Sequence, residues 1–168
     1  MKTIEVDARR YAWCRSRALW LIGLPMRLHL EDVHGAQQAG QDGLLRFAAR
    51  RVGDSCALAL NLVLNYDRTI PDYAMRSSWA IERLQGHELC QPCWDLIRGV
   101  EVASSEEIVD RCDFLVARVC AIIGEAPNIL TPEGHYPAIA MVRDWSKLLD
   151  AVGEPATMPY GWTADLDS

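Results

Sequence analysis

The sequence contains no long apolar run and no sustained alternation of apolar and polar residues. No stretch approaches the roughly 18 to 20 apolar residues that a helix needs to cross a bilayer. The first residues also lack the apolar core of a secretory signal. We therefore expect a cytoplasmic protein with no membrane partner. Because strands of half-buried sheets alternate with a period of two, a β fold is not expected either.

The short motifs that mark the common enzyme classes are missing as well. There is no glycine-rich phosphate loop, no Gly-x-Ser-x-Gly nucleophile elbow and no His-Glu-x-x-His zinc motif. Catalytic residues therefore stay unassigned from the sequence, and no cofactor is expected apart from the zinc ion considered below.

What the chain does contain is typical of one globular domain. It has 168 residues, of which half are hydrophobic and 24% are charged. We expect a single domain over residues 1–153. Residues 154–168 contain two prolines and a glycine and predict an irregular tail.

The charge is acidic overall and unevenly spread. The formal net charge is −6, with 13 basic and 11 acidic residues in 1–98 but 4 basic and 12 acidic residues in 99–168. Nucleic-acid binders usually carry a clustered basic surface, so no nucleic-acid partner is expected. The opposite charge of the two parts permits head-to-tail self-association into a homo-oligomer.

Arginine replaces lysine almost completely, with 15 arginines among the 17 basic residues. Guanidinium groups bind carboxylate and phosphate as rigid forks. This usage favours an anion pocket near one of two groups of arginines: Arg9, Arg10, Arg15 and Arg17, or Arg46, Arg50 and Arg51. A coding bias that writes arginine for lysine explains the same composition, and both interpretations stay open.

Apolar residues recur at helical spacing along almost the whole chain. The pattern predicts an all-α fold, a single bundle of about six or seven helices. The long third helix is apolar on all sides in its second half, which predicts the central element of the bundle. The predicted helices span residues 6–22, a short segment after Pro25 that ends near 38, then 44–65, a segment that starts within 69–72 and ends at 84, and finally 91–100, 105–123 and 138–152.

The sequence has six cysteines and four histidines, and three of these residues form one local cluster: His87, Cys90 and Cys93. Soft ligands at this spacing suit one zinc ion, but a structural site needs a fourth ligand. That ligand would have to be Cys56, Cys112 or His135, none of which has a spacing signal of its own. A redox pair and plain reduced thiols are the alternatives. The other cysteines lie in apolar helical stripes and are predicted to be small buried side chains.

A binding pocket is predicted around the fourth helix. Tyr66 and Trp79 would give planar walls for a ring-shaped or sugar-like ligand. Asp72, Arg76 and Glu82 would supply the polar groups. The alternative is an exposed, salt-bridged helix face.

Residues 58–99 resemble the C-terminal helical domain of aminoglycoside adenylyltransferases and related nucleotidyltransferases, a HEPN-like bundle. An apolar helix is followed by a short loop, then by Ser-Trp-Ala-Ile-Glu-Arg-Leu over 78–84 and Cys-Trp-Asp-Leu-Ile over 93–97. The resemblance implies a helical fold that closes over a ligand. Tyr73 and Leu60 stand where that family carries a phosphate-contacting lysine and arginine, and its catalytic strands have no counterpart here.

Two functions follow as hypotheses. The first is a stand-alone helical-bundle module that binds a small molecule or a protein partner without nucleotidyl-transfer chemistry. The second is a small cofactor-independent tailoring or cyclising enzyme of bacterial secondary metabolism, which would use the same Trp/Tyr-lined pocket.

Overall fold

The computed structural model describes residues 8–67 and 70–124. All regular structure in this part of the chain is helical, which confirms the all-α prediction. Five helices have nine residues or more, fewer than the six or seven expected. The predicted helix over 138–152 and the predicted tail lie outside the described residues. The elements are α1 (Ala8–Gly23), α2 (Pro25–Gln38), α3 (Asp42–Leu64), a 3-10 turn (Tyr73–Met75), α4 (Arg76–Arg83), α5 (Cys90–Arg98) and α6 (Ser105–Ile123).

Helix α3 is the central element of the bundle, as its composition predicts. It contacts each of the other five α-helices. All eight residues from 55 to 62 are buried, because neighbours cover this helix on every side. Neither α3 nor any other helix in the described ranges is long and apolar enough to cross a membrane.

Several helix ends follow local sequence signals. Helix α2 begins at Pro25, whose fixed φ suits the first helical position. Gly40, at φ +66°, reverses the chain between α2 and α3 in a conformation that other residues rarely adopt. The side chain of Ser104 accepts a hydrogen bond from the backbone N–H of Glu107 (3.2 Å) and caps α6.

The start of the fourth helix differs from the sequence-based prediction. Pro71 predicts a helix that begins at that residue, but α4 begins at Arg76. One 3-10 turn comes first, in which the N–H of Met75 donates to the carbonyl of Asp72 (3.0 Å). This tighter turn uses a shorter hydrogen-bond span than an α-helix and delays its start. Arg76 and Ser77 therefore occupy the first turn of α4 instead of its middle.

Four cysteines are buried among apolar side chains, as their stripes predict. Cys14, Cys56 and Cys112 have no solvent exposure and Cys120 has 8%. None of the four is in a disulfide bond. The Cys56 thiol lies 3.5 Å from the sulfur of Met26, which is also buried in the core.

Candidate binding cavity

A cavity of about 340 Å³ opens between α1, α3 and the first turn of α4. Its apolar wall comes from α1, from the junction with α2, from α3 and from the segment before α4: Trp13, Trp20, Leu21, Pro25, Leu58 and Ile70. Its polar wall carries three guanidinium groups, one carboxylate and two hydroxyls: Arg17, Arg51, Arg76, Asp54, Ser55 and Ser77. The described lining is thus half apolar and half polar. Concave sites that combine apolar walls with convergent polar groups are where small molecules usually bind.

The wall formed by α1 follows from helical spacing. Trp13, Arg17 and Trp20 are four and three residues apart, so their side chains lie on one face of the helix. The Arg17 guanidinium lies 4.4 Å from the centre of the Trp20 ring, which is cation–π contact. The indole Nε1 of Trp20 is buried without a hydrogen-bond partner among the described residues. This wall therefore joins a cation to two aromatic rings.

Two of the arginines affect each other across the cavity. Burial lowers the pKa of Arg17, and the positive charge of Arg76 lowers it further. The Nε of Arg76 donates to the carbonyl of Pro71 (3.4 Å), a weak bond that fixes its stem beside α4. Two like charges that face one partly buried space are unfavourable unless an anion compensates them.

Asp54 connects the polar groups of two helices. Its carboxylate lies 3.4 Å from Arg51, one turn earlier on α3. It also accepts a short hydrogen bond from the hydroxyl of Ser77 on α4. The first turn of α4 is thereby held against α3 at the polar end of the cavity.

His29 lies behind this end of the cavity, on α2. Burial lowers the pKa of His29, and the positive charge of Arg51 lowers it further, against the opposing effects of Asp32 and Asp54. A histidine with a lowered pKa is neutral at pH 7. Among the described residues that line the cavity, the charged side chains are three arginines and one aspartate.

Of the five predicted ligand-binding residues, only Arg76 lines this cavity. Asp72 and Glu82 are exposed. Tyr66 stacks on Tyr11 with ring centres 5.8 Å apart. Trp79 is half-buried, with the guanidinium of Arg83 over its ring at 4.6 Å. A ligand-binding role for the other four stays a prediction, and the structure does not place them with Arg76 around one space.

The sequence pattern missed most of the cavity for a simple reason. Trp13 and Trp20 were recognisable as neighbours on one helix face, and Arg17 and Arg51 belong to the two arginine groups that favoured an anion pocket. Periodicity does not show which face of α1 meets which face of α3. That pairing brings one arginine from each group into the same space.

The predicted zinc ligands do not come together as a set. No group of three His, Cys, Asp or Glu residues within 8–67 and 70–124 is arranged to hold a metal ion. The Nδ1 of His87 accepts from the N–H of Leu89 (3.1 Å), and the thiol of Cys90 lies 3.6 Å from the carbonyl of Ile81. Burial and the neighbouring Cys90 and Asp54 raise the pKa of Cys93 to about 12, which disfavours the thiolate that metal binding or redox chemistry needs.

No family model matches this sequence, and no curated protein or solved structure matches it. The resemblance to adenylyltransferase helical domains therefore stays an expectation that rests on residues 58–99. In the structure this stretch forms the second half of α3, the 3-10 turn, α4 and α5. Only the geometry of the cavity supports a functional proposal.

Proposed function

We propose that this protein is a stand-alone helical-bundle module that binds a small molecule in the cavity between α1, α3 and α4. The observation that carries the proposal is the convergence of three arginines and two tryptophans on one concave space. Guanidinium groups bind carboxylate and phosphate as rigid forks, and aromatic rings give planar walls for the body of a ligand.

The shape of the site favours a small molecule over a protein partner. A space of about 340 Å³ lies at the lower end of the range for small-molecule pockets. Protein interfaces instead bury broad surfaces, about 800 Å² on each side. Protein binding at this cavity would use only a single inserted side chain.

The proposal does not include nucleotidyl transfer. Asp54 is the only carboxylate among the described residues that line the cavity. Metal-assisted nucleotidyl transfer uses paired carboxylates to hold its ions. Leu60 and Tyr73 stand where the similar family carries phosphate-contacting cations.

A small enzyme is the second candidate, and one contact favours it. The Ser77 hydroxyl donates to the Asp54 carboxylate at the wall of the cavity. A carboxylate in that position is able to accept a proton from a bound substrate or from the serine. Substitution Asp54→Asn, which keeps the shape and removes the base, would abolish turnover while keeping ligand binding if the cavity is an active site.

The binding proposal is testable by two-dimensional NMR on the full chain. Single-ring aromatic compounds, either neutral, carboxylated or phosphorylated, are titrated while the indole N–H resonances are followed. We expect at least one class to shift Trp13 and Trp20, which line the cavity. Trp79 and Trp94 lie elsewhere in the bundle and act as internal references.

The resonances are assigned with Trp13→Phe and Trp20→Phe. A cavity-filling variant, Ser55→Phe, should remove the shifts while circular dichroism shows an unchanged helix content. If no compound at millimolar concentration shifts either cavity tryptophan, the small-molecule proposal fails. Shifts that survive in Ser55→Phe would place the binding elsewhere.

A further inference from the structure

We infer that the cavity takes a planar organic oxyanion, a ring that carries a carboxylate or a phosphate, and that Arg17 binds its charged end. The inference rests on the binding function proposed above and names the ligand class of the same site. The Arg17 side chain is half-buried and lines the cavity. Its guanidinium has neither a hydrogen-bond partner nor an ion-pair partner among the described residues.

The contact that the Arg17 guanidinium does make leaves its donors available. It lies over the ring of Trp20, 4.4 Å from the ring centre. The face of a ring attracts a cation but accepts only weak hydrogen bonds. The N–H groups of the fork are therefore left for an acceptor with lone pairs, and carboxylate and phosphate match the geometry of that fork.

Two other arginines of the described part of the chain also lie over tryptophan rings, and both differ from Arg17. Arg83 lies 4.6 Å from its ring centre, and its Nε donates to the carboxylate of Asp67 (3.1 Å). Arg98 lies 5.7 Å from the ring centre of Trp94 and is exposed, so water solvates its N–H groups. Arg17 is partly withdrawn from water and has no such carboxylate.

The carboxylate that lines the cavity is bound to other groups. Asp54 lies 3.4 Å from Arg51 and accepts a hydrogen bond from the hydroxyl of Ser77. Burial lowers the pKa of Arg17, and the positive charge of Arg76 acts in the same direction. A guanidinium nevertheless stays charged at neutral pH. The wall of the cavity therefore contains a partly desolvated cation that an anionic ligand would stabilise.

The rings beside Arg17 favour a planar body for the ligand. Trp13 lies one helical turn before Arg17 and Trp20 one turn after it, and both line the cavity with Arg17. Rings stack favourably on such walls. About 340 Å³ holds one small ring with its charged group. A ring against either indole would then lie within one turn of the guanidinium that binds its substituent.

The test is NMR titration of the full chain at pH 7, in which the indole N–H resonances of Trp13 and Trp20 report binding. Benzoate is compared with its neutral isostere benzamide, and phenyl phosphate with phenol. We expect at least one anion to bind about tenfold more tightly than its neutral partner, the effect of a charged hydrogen bond. The anion with this preference identifies the charged group. Acetate or inorganic phosphate, which lacks the ring, should bind about tenfold more weakly than that anion.

Arg17→Gln should remove the preference for the anion, so that the two members of a pair bind within about threefold of each other. Arg17→Lys keeps the charge but loses the fork; it should retain part of the preference and replaces Arg17→Gln if that variant does not fold. The matched control is Arg98→Gln, the same substitution at an arginine that stacks on Trp94 and does not line the cavity. Its preference should equal that of the wild type.

The outcomes separate this inference from the proposed function. If benzamide and phenol bind as tightly as the two anions, the oxyanion class is wrong while the binding function stands. A preference that persists in Arg17→Gln would show that another group binds the charged end. If acetate or inorganic phosphate binds as tightly as its ring counterpart, the planar body is wrong. If no probe shifts Trp13 or Trp20, this inference and the proposed function both fail.

Discussion

Asn61 is a fully buried polar side chain in the last turn of α3. Its amide nitrogen donates to the carbonyl of Ala80 (2.7 Å) and to that of Ala57 (3.0 Å). Its amide oxygen accepts from the side chain of Asn65 (2.8 Å). The bond to Ala80 joins α3 to α4 across 19 residues of sequence. Every polar atom of the side chain is thereby satisfied, which offsets the cost of burying an amide.

We predict that Asn61→Leu lowers the free energy of unfolding by about 1 to 3 kcal/mol. Leucine has a similar size and is more apolar, but it removes the bond between the two helices and leaves the Asn65 amide without this acceptor. Urea unfolding followed by circular dichroism measures the change.

The control is Gln91→Ala, which removes an exposed amide that bonds to Asp95 (2.7 Å) within one helix. We expect a change within about 0.5 kcal/mol for this surface site. An Asn61→Leu protein as stable as the wild type would show that the amide network contributes nothing net to stability.

At the scale of elements, α3 and α5 approach each other closely at Gly53. A Cβ at this position would lie 2.9 Å from the Cβ of Leu96 and 3.2 Å from the carbonyl oxygen of Cys93. The first atom is the base of a side chain and the second belongs to the backbone, and neither moves away easily. Glycine is required here for helix packing, since its φ is not in the left-handed region.

We predict that Gly53→Ala destabilises the protein by about 1 to 3 kcal/mol, the usual cost of overpacking. Helix propensity alone would predict the opposite change, because alanine is favoured over glycine inside a helix. The midpoint of thermal unfolding should fall accordingly, and differential scanning calorimetry measures it.

Gly35→Ala is the matched control, because Gly35 lies inside α2 with nothing within 4 Å of an added Cβ. At Gly35 only helix propensity changes, so alanine should raise the free energy of unfolding by about 0.5 to 1 kcal/mol. Equal shifts of the same sign in the two variants would disprove the close approach of α3 and α5.

The ends of the elements show how far local sequence signals reach. The Ser104 cap marks the start of its helix correctly, since it acts on neighbouring backbone groups. Pro71 misled the prediction, because a proline suits a 3-10 turn and an α-helix equally well. The choice between the two depends on contacts of Arg76 and Ser77 with distant parts of the chain.

At the scale of the whole molecule, buried thiols link the stability of the bundle to alkaline pH. Burial raises the pKa of Cys93 and of Cys112 to about 12, from an ordinary value of 9.0. Burial also raises the pKa of Cys56 well above that value, and the nearby Cys93, Cys120 and Cys112 raise it further. Between pH 9 and 12 the folded chain therefore holds protons that the unfolded chain has released.

We predict that the free energy of unfolding falls as the pH rises above about 9, because the unfolded state then binds fewer protons than the folded state. Each thiol that is protonated in the folded state and ionised in the unfolded state lowers the free energy of unfolding by up to about 1.4 kcal/mol per pH unit. Urea unfolding at pH 7.5, 9.0 and 10.5 measures the slope.

Cys93→Ala removes one of these thiols and should reduce the alkaline slope, whatever its effect on stability at pH 7.5. If the wild type and Cys93→Ala lose stability in parallel from pH 9.0 to 10.5, this thiol does not carry the dependence.

The sequence by itself determined the helical class and the central place of α3, because the period of apolar residues and the all-apolar stretch act through local geometry and burial. It did not determine the cavity. Arg17, Arg51 and Arg76 are 34 and 25 residues apart in the chain. They meet only because α1 and the first turn of α4 pack against the same part of α3. Periodicity shows which face of a helix is apolar, but the tertiary packing alone decides which faces meet and which charged side chains they enclose.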